Sequence, residues 1–220
     1  MPNFYYTRDM EKTDSPYRRN PLLRLSYSLI APLYDAVIER PMRAARRRSL
    51  CALPADAGRH ILVSGVGTGL DLPLLPRQHR YTALDFNAAM LMRAVPRGSG
   101  MAVEFVLGDS MALPFADAQF DHVVLHLIVA VVPEPQRCLS EAERVLKPGG
   151  TIILFDKFLR PQQRAPLRRL FNVLTRCFAT RMDVVFEEVL LAVPGLELVS
   201  DTPMLAHGWF RGIVLRKVRS

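Results

Sequence analysis

Three glycines at alternate positions, Gly65, Gly67 and Gly69, follow the apolar run Ile61–Ser64, and carboxylates close the next two apolar runs at Asp85 and Asp109. Closely spaced glycines at a strand end let the backbone turn sharply and approach a ligand without interference from Cβ atoms. When a helix follows, its unpaired N–H groups point at whatever the turn holds. A carboxylate about 20 residues further on can accept hydrogen bonds from two ribose hydroxyls, and Asp85 in YTALD stands there. Asp109 in FVLGDSMALPF is placed to accept an N–H from an adenine amino group, with the backbone of Ser110 and Met111 beside it. Each feature has a plainer reading when taken singly: glycines where a strand and a helix merely pack closely, and acids that only cap a helix or turn. In this order and at these spacings they point together to a nucleoside ligand.

Groups able to move a proton follow at the same edge. His126 sits near the end of the fourth apolar run and reads either as a buried structural histidine or as a base beside the ligand. Asp156 ends the fifth run and reads as a base or a turn residue. His207 precedes the last run and marks a hairpin turn.

These residues need a scaffold that brings several strand ends to one edge. Apolar runs recur at Ile61–Ser64, Tyr81–Leu84, Ala102–Leu107, His122–Leu127 and Thr151–Phe155, separated by helical stretches at Leu70–Leu75, Ala88–Ala94 and Gln136–Leu146. Such alternation predicts a parallel sheet with helices on both faces. Right-handed crossovers then gather the strand ends along one edge. Lys147-Pro148-Gly149-Gly150 reads as a stop and turn before the fifth strand. Beyond it, a basic helix is expected over 162–180 and a short helix over Val184–Val193. The strands Leu196–Asp201 and Trp209–Val218 then close the chain as an antiparallel hairpin, making seven in all. Ahead of the first strand, residues 1–20 read as mobile. Residues 21–58 read as a helical cap, with helices over Pro21–Leu29 and Tyr34–Leu53, and 59–220 as the core of one domain. In the second cap helix, Val37, Ile38, Met42, Ala45, Leu50 and Leu53 can share a face while the arginines take the other.

With 220 residues, half of them hydrophobic and 23% charged, the chain has the composition of an ordinary globular protein with one substantial core. No apolar stretch approaches the roughly 20 residues needed to span a bilayer, and no secretory signal is visible at the N-terminus. Cys51, Cys138 and Cys177 are far apart, so reduced thiols are expected and no metal site. The net charge of +8 is concentrated in Arg18, Arg19, Arg24, Arg40, Arg43 and Arg46–Arg48, and again over 160–181. Such clusters are either solvated surface or attractors of phosphate, in nucleic acid or on anionic lipid. Without aromatic interleaving or zinc-finger spacing, nucleic acid is the weaker choice.

The ordered set GVGTG, LD, GDSMALPF, FDHVV and RVLKPGG resembles the class I S-adenosylmethionine-dependent methyltransferases over about Ile61–Asp156. The resemblance implies a Rossmann-like, doubly wound, mostly parallel seven-stranded α/β sheet with an antiparallel last strand and N-terminal helices. It implies S-adenosylmethionine as cofactor, with Gly65, Val66, Gly67, Thr68 and Gly69 at its methionine part. Asp85 and Phe86 would lie at the ribose, Asp109, Ser110 and Met111 at the adenine, and His126 nearby. Tyr34, His126 and Asp156 are the catalytic candidates, and Tyr34 would close over the methionine end. A nearer likeness is to bacterial phosphatidylethanolamine N-methyltransferases, carried by GVGTGL-x-LP at Gly65–Pro73 and by Tyr34-Asp35 ahead of the basic stretch Arg43–Arg48. It implies a small-molecule or phospholipid acceptor and a cytoplasmic protein able to dock on an anionic membrane face. The chain departs from the family at Val63, where an acid is usual, and at Val129-Ala130-Val131-Val132, where quinone-type relatives carry a histidine pair. A non-catalytic binding module and a nicotinamide oxidoreductase are the competing readings; the third glycine comes one residue early for the latter.

Overall fold

Continuous apolar runs belong to strands covered on both faces, and the computed structural model forms such a sheet; it describes residues 4–6, 42–159 and 184–219. The elements are β1 (Phe4–Tyr6), α1 (42–50), β2 (His60–Ser64), β3 (Arg80–Asp85), α2 (Ala88–Ala94), β4 (Ala102–Leu107) and β5 (Phe120–His126). They continue as α3 (Pro135–Val145), β6 (Leu146–Lys157), α4 (Phe186–Leu191), β7 (Leu196–Leu205) and β8 (Phe210–Lys217). The strand order is β1-β4-β3-β2-β5-β6-β8-β7. All neighbours are parallel except β8, which runs antiparallel to both β6 and β7. Strand order reverses beside β2, and ligands of open α/β sheets bind in the crevice at that switch point. The glycine turn follows β2 directly.

Alternate residues divide the sheet between two cores. Leu62, Leu84, Val123 and Leu154 face α3 and α4. Val63, Ala83, Val124 and Ile153 face the side held by Leu50 of α1 and Leu91 of α2. Each fully buried aliphatic side chain contributes about 1.5–3 kcal/mol. Val63 is 1% exposed, so the position where the family usually has an acid is filled here by core packing.

Several expectations are revised. The seven expected strands are present, and an eighth, Phe4–Tyr6, pairs with Phe105–Leu107 at the sheet edge, within the segment read as mobile. The stretch read as a helix over Leu70–Leu75 is one 3-10 turn, Leu72–Leu74, set by Pro73 at its start. Lys147–Gly150 follows the end of α3 at Val145 as a helix stop should, but it is no turn: it lies inside β6, which absorbs it as an irregularity opposite Phe120–His122 with Gly149 at φ +75°. The helices expected over 21–29 and 162–180, and Tyr34, lie outside the described residues.

Candidate functional site

The turn after β2 is held from beneath by β3. The N–H groups of Gly65 and Val66 both donate to the Leu84 carbonyl, at 2.8 and 2.9 Å, and Gly69 closes the turn by donating to Val66 O at 2.9 Å. All three glycines have positive φ. Two also have no room for a side chain: a Cβ on Gly65 would lie 2.7 Å from Ile128 Cγ1, and one on Gly69 2.9 Å from Ala94 Cα. Gly67 differs. Nothing lies within 4 Å of its Cβ position, so the middle of the turn opens onto free space. Val66 and Thr68 on either side are buried.

Asp85 borders that space. Its Oδ2 accepts the Gly67 N–H at 2.7 Å and its Oδ1 the Asn87 N–H at 2.9 Å. Burial pushes its pKa up to about 6, opposed by the N–H groups of Asn87, Gly67 and Phe86. Asn87 then caps α2, its side chain accepting from Ala89 N at 2.9 Å. Asp109 follows β4 at the same edge, half-buried, with Oδ1 accepting the Met111 N–H at 2.8 Å. The Met111 side chain itself is 1% exposed and belongs to the core. Ser64 and Ser110, both buried, join β2 to the loop after β4 through a 2.8 Å hydroxyl contact. Phe86 is half-buried beside Asp85.

The proton-transfer candidates are engaged elsewhere. Asp156 is fully buried; its Oδ2 accepts the Ala130 N–H at 2.9 Å and its Oδ1 its neighbour Lys157 N–H at 2.8 Å. Burial raises its pKa to about 6, with the Ala130 N–H the leading opposing influence. His126, 4% exposed, uses both ring nitrogens: Nε2 meets Ser49 Oγ at 3.1 Å and Nδ1 meets Asp71 Oδ1 at 2.9 Å. Asp71 Oδ2 in turn accepts from Arg46 at 2.7 Å. Burial alone would raise the Asp71 pKa, but His126 and Arg46 together hold it well below the usual carboxylate range. This closed chain ties α1 to the glycine turn and to the end of β5. Arg46 is thus no part of a solvated basic face; the exposed arginines of α1 are Arg43, Arg47 and Arg48.

Sequence reading missed Arg46, Ser49, Ser64 and Asp71. The clue available for Asp71 was an acid amid apolar neighbours in GLDLP, where an exposed turn residue was equally natural. Immediately after His126, Leu127 has φ +58°, a left-handed conformation that costs a non-glycine residue about 1–2 kcal/mol. That twist carries Ile128 under Gly65. Val129, Ala130 and Val132 are all fully buried, so the quinone-type histidine positions are apolar packing here.

The fold is a doubly wound α/β sheet whose glycine turn and two strand-end carboxylates lie at its switch point. A methyltransferase-domain family matches residues 62–154. The chain is 37% identical over 185 residues to a phosphatidylethanolamine N-methyltransferase of Cereibacter sphaeroides, covering 81% of this chain and 89% of that protein. It is 35% identical over 132 residues to a demethylmenaquinone methyltransferase of Renibacterium salmoninarum, covering 58% of this chain and 55%, little over half, of that relative. Among solved structures, the methyltransferase from a complex with the Trm112 methyltransferase activator of Haloferax volcanii superposes with a TM-score of 0.73. At 19% identity over 88% of this chain and 98% of that one, it shares the fold. The chain belongs to the S-adenosylmethionine-dependent methyltransferases, and S-adenosylmethionine is its cofactor.

The residues present fit that group: the free space above Gly67 adjoins a buried carboxylate able to accept hydroxyl protons. Gly67→Ala is therefore expected to cost only about 1–2 kcal/mol through its φ while lowering cofactor affinity far more than that strain accounts for. Thermal unfolding beside a cofactor titration checks this; equal losses in both would place the free space outside the binding site.

Proposed function

We propose that this methyltransferase acts on the amine of a phosphatidylethanolamine-type headgroup. The observation that carries the reading is the 37% identity to a protein of that name over most of both chains. When bound, the cofactor supplies a methyl group on a sulfonium centre. The acceptor nitrogen would take that methyl group through its lone pair, leaving the cofactor as a neutral sulfide, and would then release a proton to water.

The chain's own residues supply positioning, which can contribute about 7–11 kcal/mol. Asp85, with Phe86 beside it, receives the ribose hydroxyls. Asp109 with the Ser110 and Met111 backbone reads the adenine, and Gly65–Gly69 lines the methionine arm. An amine that arrives neutral needs no side-chain base. That agrees with His126 and Asp156 having both of their polar atoms engaged. His126 acts in this reading as a positioning residue behind the turn.

Labelled cofactor and phosphatidylethanolamine vesicles test the reading, with mono-methylated lipid the expected product. Label appearing only in soluble thiols or amines would replace it with a small-metabolite enzyme.

Among the described residues no helix is long and apolar enough to cross a membrane. Arg43, Arg47 and Arg48 are the exposed cations of α1, and each cation near an anionic surface is worth about 1 kcal/mol. Replacing all three by alanine is expected to reduce sedimentation with anionic vesicles by about 100-fold. Unchanged partition would exclude α1 as the docking face. Deleting α1 is a poorer test, because Arg46 and Ser49 would go with it.

A further inference from the structure

The carboxyl end of β6 carries a cation without a counterpart among the described residues. The chain has only four lysines, Lys12, Lys147, Lys157 and Lys217. Lys147 donates to Asp121 at 2.8 Å, and Lys217 pairs with Glu143 at 3.1 Å. Lys157 is half-buried, yet its ammonium has no hydrogen-bond or ion-pair partner among the described residues. Asp156 does not serve as one: successive strand residues face opposite sides, and its oxygens are taken by the Ala130 and Lys157 N–H groups. Burial accordingly draws the Lys157 pKa below the usual lysine value, against the pull of Asp156. Holding a partly desolvated cation unpaired costs free energy that an anion would return.

What surrounds this lysine narrows the anion. Lys157 lies opposite Phe210 in the antiparallel β6–β8 pair, and so shares its face of the sheet. The Phe210 ring is 5.8 Å from that of Phe155, which meets His126 edge-on at 5.6 Å. Phe210, half-buried, is thus the ring on the face that Lys157 shares, backed by the buried Phe155 and by the histidine behind the glycine turn. Aromatic faces attract alkylammonium groups within about 6 Å. Cation and ring together suit a ligand with an anionic group at one end and an amine at the other.

We propose that Lys157, at the same strand-end edge as the glycine turn, anchors the phosphate of the methyl acceptor, so that its amine lies over Phe210 toward that turn. This rests on the reading of the acceptor as an amine. It adds the requirement for a phosphate ester and the residue that reads it. A membrane headgroup and a soluble phosphate ester share that chemistry.

The test compares wild type, Lys157→Met and Lys157→Arg on phosphatidylethanolamine vesicles, on glycerophosphoethanolamine and on ethanolamine, with cofactor affinity measured alongside. Lys157→Met is expected to lower the kcat/KM ratio of either phosphate ester over ethanolamine by about 30-fold through KM, the size of a lost charge-assisted contact. Lys157→Arg restores most of it, and cofactor affinity follows wild type in both. Activity on vesicles alone assigns the site to a lipid headgroup; activity on both esters assigns it to the phosphate ester itself. An unchanged ratio overturns the proposal.

If wild type methylates none of these amines, the amine reading falls, and the anion site is judged separately by acetylation of the lysines read by mass spectrometry. Inorganic phosphate is expected to slow labelling of Lys157 several-fold relative to Lys147 and Lys217. Equal rates with and without phosphate overturn the site.

Discussion

Asp71→Ala is expected to lower stability by about 3–5 kcal/mol, the cost of leaving a buried charge without its partner. The Arg46 and Asp71 side chains are 8% and 4% exposed and meet at 2.7 Å, and the His126 side chain, 1% exposed, meets the same carboxylate at 2.9 Å. Removing Asp71 strands a guanidinium and an imidazole inside the fold. It also frees α1 from the turn that follows β2. Urea unfolding measures the loss; a change under about 1 kcal/mol would mean the pair is not held as described. Burial of a pair is weak evidence of net stabilisation, so the double variant Arg46→Met, Asp71→Leu is expected to recover much of the loss. The depressed Asp71 pKa fixes the direction of the acid limb. Its contribution is fully present above the ordinary value of 3.8 and is lost as pH falls further, toward the lowered value in the fold.

The same chain shows what a linear reading can reach. The strands of the parallel sheet were legible because double burial leaves an unbroken apolar run, as in Ile61–Val63 and Val123–Leu125. Helix α2 keeps its expected bounds, Ala88–Ala94, and Asn87 directly before it caps its first turn. The edge positions of Asp85 and Asp109 were legible for a related reason: each follows such a run, and the topology carries every run end to one edge. The Arg46–Asp71–His126–Ser49 chain was not, since its contacts join residues 25, 55 and 77 positions apart. Arg46 was hidden among neighbours of like charge, and only the phase of α1 against the sheet decides which arginine turns inward. Lys147–Gly150 misled only as a turn, because Pro and Gly interrupt most strands, whereas here a left-handed Gly149 lets pairing continue past an irregularity. Lys157 carried no local signal at all. It stands out only once Lys147 and Lys217 are seen to have partners.

Asp85→Ala is expected to weaken S-adenosylmethionine binding by about 100-fold or more, the loss of charge-assisted bonds to two hydroxyls. The fold should tolerate the change far better than the site does. Burial raises the Asp85 pKa to about 6 against the N–H groups of Asn87, Gly67 and Phe86. In the folded chain it therefore holds its proton more tightly than when unfolded. Stability from this group is greatest at low pH and declines as pH rises from the ordinary 3.8 to about 6. At neutral pH the ionised carboxylate is thus a liability to the empty fold, offset by its bonds to Gly67 and Asn87, and alanine removes both. Binding has the opposite sign. Only the ionised carboxylate presents two accepting oxygens to ribose, so affinity is expected to rise with pH through about 6 and level off above it. In Asp85→Ala that rise should vanish, which separates it from the titration of Asp156 in the same range. Cofactor titrations of both proteins between about pH 5 and 8 give the answer. A wild-type affinity that is flat across this range, or one that Asp85→Ala leaves intact, would take the ribose role away from Asp85. A persistent rise in the variant would pass the pH dependence to Asp156 and the loop it holds at Ala130.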